Sequence, residues 1–231
     1  MEKDTNINSI GYPKQIVISA GIALGFMATL VGVILVLNTV KSGGNKASAV
    51  FSPPGTVDDM ASMHAPPAPA DNTKFQALLN SPAPQFKLQS YSGKEIDLAS
   101  LKGKNVVLFF SEGAMCFPSC WDQINAFTKD KGFSGKDTII LTIVVDSKTD
   151  WDGVVKKDKK ITSATVLLDS DRKVSEAYGV LTVDSSMHRG QFPGHTYVII
   201  DKEGVIRFEK DDPNMGINNK DLLADISKLN Q

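Results

Sequence analysis

An α/β fold, with a central sheet flanked by helices, is what this sequence predicts, and three observations predict it. Strand-like and helix-like segments alternate from residue 73 onward, as in a sheet covered by helices. "NVVLFF" (Asn105–Phe110) is a continuous apolar run, suited to a strand buried on both faces. The chain then closes with two strands split by the turn "KEG" and an amphipathic helix.

Taken in order, "FQALL" suggests a short helical turn. "APQFKLQSYSGKEIDLASLKGK" reads as a strand, a turn at Ser92–Gly93, a second short strand and a loop ending at Gly103. After Asn105–Phe110, "WDQINAFTKDKG" has helical spacing at Trp121, Ile124 and Phe127 and a stop at Gly132. A strand over Thr138–Asp146 comes next, then a polar helical stretch, "WDGVVKKDKK", and a strand over Ala164–Asp169. The helix "RKVSEAYGV" precedes the strands "HTYVIID" and "VIRFEK". "NKDLLADISKLN" places Leu222, Leu223, Ile226 and Leu229 on one helical face.

Ahead of this domain, Ile16–Val40 carries no charge. At 1.5 Å per residue such a run is long enough to cross a hydrocarbon core of ~30 Å. A secretory apolar region is shorter, about 7–15 residues, and the "ASA" at Ala47–Ala49 lies well past the end of the run. The expected organisation is therefore a flank over 1–15, a transmembrane anchor over 16–40, a flexible Pro/Ala/Gly/Ser-rich linker over 41–72 and the folded domain over 73–231. Lys3 and Lys14 on one side balance Lys41 and Lys46 on the other, so charge does not orient the anchor. An N-terminal anchor normally exports the domain attached to it, which makes an extracytoplasmic domain the expectation. Within the linker, Met60, Met63 and His64 are soft-metal ligand types in an otherwise ordinary tether.

A net charge of −1 with no dense basic run excludes an electrostatic footprint for nucleic acid. The chain has no phosphate-binding glycine loop, no "HExxH" and no serine-nucleophile motif; "GFSGKDT" has a Gly–Lys pair without the required glycine spacing. Two cysteines are too few for a disulfide scaffold and read instead as a site. Both fall in "SEGAMCFPSCWDQI", four apart. Three chemistries fit: a redox disulfide, a peroxide-reducing thiolate and a soft-metal site.

The order of elements, with cysteines where a buried strand meets a helix, resembles the thioredoxin-like superfamily and within it the redoxin branch of alkyl hydroperoxide reductase/thiol-specific antioxidant proteins. "SPAPQFKL", "LASLKGKNVVLFF", "LLDSDRKVSEAYGV" and "HTYVIIDKEGVIRF" carry the resemblance from Pro82 to Phe208. It implies a mixed sheet and a thiol–disulfide oxidoreductase or thiol peroxidase. Protein thiols, disulfides or a peroxide would be its partners, and no cofactor would be required. The site departs from the branch. Where peroxiredoxins place Thr or Ser three residues before the peroxidatic cysteine and Pro seven before, this chain has Gly113 and Phe109 for Cys116, or Phe117 and Gly113 for Cys120. Thiol–disulfide members separate their cysteines by two residues, usually with Trp before the first; here three residues separate them and Met115 precedes. Pro193 lies close to the family's cis-proline position, but His195 abuts the strand. Those departures resemble the Sco-type copper-delivery proteins, which implies Cys116, Cys120 and His195 as ligands to Cu(I).

A helix beginning near Cys116 would put both sulfurs on one face, within reach of a disulfide. Pro118 is tolerable in a first turn. The thiol nearest the helix N-terminus would have a lowered pKa, which makes Cys116 the expected attacker and Cys120 the resolver. His195 fits either a three-coordinate Cu(I) site or tuning of a thiolate. His188 and Met187 are candidates for an added ligand, Glu112 for a proton acceptor to a cysteine, and Arg189 for steering of an anionic or peroxide substrate.

Overall fold

A computed structural model describes residues 69–230 apart from 136. Ile16–Val40 and the Met60, Met63 and His64 group lie outside the described residues. Among the described residues no helix is long and apolar enough to cross a membrane.

The elements are α1 (Thr73–Gln76), β1 (Lys87–Ser90), β2 (Glu95–Asp97), β3 (Asn105–Phe110), α2 (Ser119–Lys129), β4 (Thr138–Val144), α3 (Lys148–Lys157), β5 (Val166–Leu168), α4 (Lys173–Ala177), β6 (Thr196–Ile200), β7 (Ile206–Asp211) and α5 (Asn219–Leu229). They build one seven-stranded sheet in the order β2-β1-β5-β4-β3-β6-β7. β3, β4 and β5 run parallel, and β1, β2, β6 and β7 add antiparallel pairs. The result is the mixed α/β arrangement of a thioredoxin-like fold.

β3 is the centre. All six of its residues are buried, as its continuous apolar run requires. The period of two sends Val106, Leu108 and Phe110 to one core, with Phe75, Ile143, Tyr178, Val198 and Ile206. Val107 and Phe109 go to the other, with Trp121, Ile124, Phe127, Tyr197, Leu222 and Ile226. The closing helix presents its predicted face, with Leu222 and Ile226 buried and Leu223 and Leu229 packed against the same core.

Two pairings position the site. Parallel β4 ends beside the end of β3, with Phe110 opposite Ile143. Antiparallel β6 begins there, with Phe110 opposite Thr196. Residues just after β3, just after β4 and just before β6 therefore meet beyond the carboxyl ends of β3 and β4, where ligand and catalytic groups commonly collect in α/β folds.

Candidate active site

Leaving β3, the chain makes a short 3₁₀ turn over Gly113–Met115 and reaches Cys116, whose N–H is donated to Gly113 O at 3.2 Å. Cys116 thus ends one turn instead of opening the next. Pro118, which has no N–H, stands at the N-cap, and α2 starts at Ser119, three residues later than a start near Cys116 would have it. Cys120 N–H still reaches back to Cys116 O at 3.0 Å, so the two residues share a turn. Their Cα atoms are 5.4 Å apart, a separation a disulfide spans, and their sulfurs are joined as one. Cys120 lies in the first turn of α2, and Cys116 stands just ahead of that helix, three residues before its first residue.

Both cysteines are buried, Cys116 at 4 % exposure and Cys120 at 0 %. The two neighbours of Cys116 are not: Met115 is 53 % and Phe117 70 % exposed. Phe117 packs edge-on against Trp121, whose indole N–H is donated to Gly113 O at 3.1 Å.

His195 sits immediately before β6, buried, with Nδ1 3.4 Å from Cys120 Sγ. Its other nitrogen faces two oxygens. Nε2 lies 3.3 Å from Gly216 O, which only accepts, and 2.7 Å from Tyr197 Oη. The tyrosine hydroxyl donates to Gln123 Oε1 at 2.9 Å and accepts from Asn218 Nδ2 at 3.2 Å. With Nε2 as the donor to Gly216 O, Nδ1 turns its lone pair toward the sulfur. Burial, only partly offset by the Gly216 carbonyl and Asp212, holds the imidazole down to about 4, because the charged form has lost its water. At neutral pH it is an uncharged base.

Cys116, Cys120 and His195 form a buried group whose ligand atoms all lie within 4.8 Å of one another. With the cysteines reduced, two thiolates and an imidazole fit a soft cation in three-coordination. His188 is not part of this group. Its Nδ1 lies 3.2 Å from Glu112 Oε2, so the fourth ligand that zinc would want is not supplied there.

Glu112 is not set up as a proton acceptor for a cysteine. Its carboxylate accepts from Met187 N at 2.6 Å and His188 N at 3.1 Å in addition to the His188 ring. It ties the loop before β6 to the end of β3. Met187 is held by its backbone and exposes its side chain. Arg189 donates to the carbonyls of Val183 and Asp184. Pro193 is buried two residues before His195, and the cis peptide among the described residues precedes Pro118 instead.

Four contributors were not singled out from the sequence. Tyr197, Gln123 and Asn218 orient His195 from β6, α2 and the start of α5. Asp146, just past β4, accepts from Ala114 N at 3.0 Å. Its burial pushes the carboxyl up to about 6. The one local signal for it is a polar residue closing "TIVVD".

The chain matches the AhpC/TSA family over residues 79–209. It is 34 % identical over 141 residues to peroxiredoxin-2 of Pongo abelii, covering 57 % of this chain and 76 % of that protein. It is 29 % identical over 150 residues to the chloroplastic peroxiredoxin Q of Sedum lineare, covering 64 % and 77 %. In fold it is similar to the reduced 2-Cys peroxiredoxin of Plasmodium vivax, with a TM-score of 0.58 at 23 % identity, covering 66 % of this chain and 96 % of that one. With the matched residues spanning more than half of the sequence and both halves of the site, the chain belongs to the AhpC/TSA family of thioredoxin-like proteins.

Proposed function

We propose that the protein is a thiol–disulfide oxidoreductase of the AhpC/TSA type whose Cys116 and Cys120 alternate between dithiol and disulfide. Protein thiols and disulfides are its partners, and a hydroperoxide is an oxidant that the same pair accepts. The observation that carries the reading is the disulfide closed within one turn, with a neutral buried imidazole on one of its sulfurs. Cys116, flanked by exposed Met115 and Phe117, is the sulfur a partner meets. In the oxidising half, the Cys116 thiolate attacks the peroxide, the O–O bond breaks, alcohol or water leaves, and a sulfenic acid remains. With a disulfide partner, the same thiolate instead breaks the partner's S–S bond, expels one of its sulfurs as a thiolate and forms a mixed disulfide with the other. Cys120 then passes its proton to His195 Nδ1 and attacks Cys116 Sγ, releasing water or the partner's thiol and closing the disulfide. An external dithiol returns the two electrons. No cofactor takes part. The peroxiredoxin names of the relatives support a hydroperoxide as oxidant; Gly113 and Phe109, at the positions of the peroxiredoxin Thr and Pro, support disulfide exchange as the faster half.

A second reading, a Cu(I)-binding or copper-delivery protein, is favoured by the Cys116, Cys120 and His195 group. Disulfide and metal would exclude each other, because both use the same sulfur electrons. For the full chain we also propose a single-pass anchor at Ile16–Val40 with an extracytoplasmic domain, supported by its charge-free length.

One preparation tests these readings. Carbonate-washed membranes should retain the full-length chain, Cys120→Ser should trap a mixed disulfide through Cys116, and the wild type should exchange with glutathione. Chain lost to the wash removes the anchor. No trapped species and no exchange, alongside tight one-to-one Cu(I) binding that is lost in His195→Ala, would replace the redox reading with the copper one.

A further inference from the structure

We propose that Asp146 is a positioning residue of the redox pair, holding the turn that delivers Cys116 to Cys120; this rests on the dithiol–disulfide reading above. Asp146 lies two residues past β4, and parallel pairing of β3 with β4 sets it beside the chain leaving β3. Its Oδ2 accepts from Ala114 N at 3.0 Å, inside the turn Gly113–Met115. The residue is itself buried and anchored, since its carbonyl accepts from Ser170 Oγ at 2.9 Å. Around it, a cleft of about 390 Å³ is lined by Met115, Asp150, Arg172 and Phe192 as well.

Gly113 gives the second, independent sign that carboxylate and turn are built for each other. Its φ is +64°, in the left-handed region, and a Cβ there would overlap Asp146 Oδ2. Only glycine both adopts the backbone and leaves room for the carboxylate. The carbonyl of the same glycine accepts the N–H of Cys116 at 3.2 Å and of the Trp121 ring at 3.1 Å. The turn is thus gripped from β4 by a carboxylate and from α2 by an indole, and Cys116 follows it directly.

A carboxylate-to-amide hydrogen bond is among the stronger ones, and its removal leaves a poorly solvated N–H without a partner. A loosened turn lets the reduced cysteines spread from the 5.4 Å Cα separation, so closing the bond again costs more chain entropy. Asp146 therefore favours the disulfide over the dithiol.

The experiment is a glutathione redox titration of the full-length protein, with circular dichroism as the check on folding. Asp146→Ala should lower the equilibrium constant for disulfide formation about tenfold, the scale of one charged hydrogen bond. Asp146→Asn keeps an acceptor oxygen and should stay within about threefold of wild type. Gly113→Ala evicts the carboxylate and also strains the turn's left-handed backbone, so it should lower the constant at least as far as Asp146→Ala; Asp146→Leu, which has no acceptor, carries the test if Asp146→Ala does not fold. A merely structural aspartate would lower the melting temperature and leave the equilibrium constant in place. Folded Asp146→Ala and Gly113→Ala within twofold of wild type would overturn the proposal. A wild type with no glutathione-dependent disulfide is a different result, and it removes the redox reading along with the role of Asp146.

Discussion

At the residue scale, chemistry concentrates on His195 and on the partners that fix its proton. With Nε2 donating to the Gly216 carbonyl, Nδ1 is free to take a proton from Cys120. A positioned base of this kind contributes on the order of 10²-fold or more. His195→Ala is accordingly expected to slow closure of the disulfide about 10²-fold, measured by stopped-flow fluorescence of Trp121 beside the pair. Because burial holds the imidazole of the disulfide form down to about 4, the contribution of His195 should survive at neutral pH and be lost on acidification toward pH 4. A variant that closes within threefold of wild type across neutral pH rules out the base.

At the element scale, the site is an intersection of chain segments, and that decides what could be read in the sequence. β3 was legible because a strand buried on both faces needs an uninterrupted apolar run, and all six residues are buried. The cysteines were legible by spacing, and His195 by its place before the "TYVIID" strand. The start of α2 was not, since nothing local shows that Cys116 spends its N–H on Gly113 and leaves Ser119 to open the helix. Asp146, and the role of Glu112, were illegible for the same reason. An aspartate past one strand and a glutamate past another have functions set by loops that pairing brings beside them. The Glu112 contacts make a testable case. Glu112→Ala leaves the Met187 and His188 amides without their acceptor, at a local cost of about 1–3 kcal/mol for each orphaned donor. Hydrogen exchange at those two amides should accelerate by roughly tenfold or more, while the Cys116/Cys120 equilibrium with glutathione stays near wild type. Unchanged protection at both amides would show that the loop is held by something else.

At the scale of the whole molecule, two buried groups of the same site pull stability in opposite directions with pH. His195 is held down to about 4 from an ordinary 6.5. Between those values the unfolded chain takes up a proton that the folded protein refuses, so the His195 contribution is lost as pH falls from 6.5 to 4. Asp146 is pushed up to about 6 from 3.8. In that window the folded protein keeps a proton that the unfolded chain has released, so the Asp146 contribution is lost as pH rises from 3.8 to 6. At about 1.4 kcal/mol per pKa unit each is worth on the order of 3 kcal/mol, and in the wild type they largely cancel. Removing one should expose the other. Asp146→Asn is expected to be about 1–3 kcal/mol better relative to wild type at pH 7 than at pH 4.5, because it no longer ionises a buried carboxyl. His195→Gln should show the reverse, gaining relative to wild type at pH 4.5, because its unfolded state has no imidazole to charge. Urea unfolding of the full-length protein at the two pH values reads both differences, and comparison with wild type cancels the carboxylates common to all three proteins. Variant-to-wild-type differences that do not move with pH would mean that neither group titrates where its burial places it.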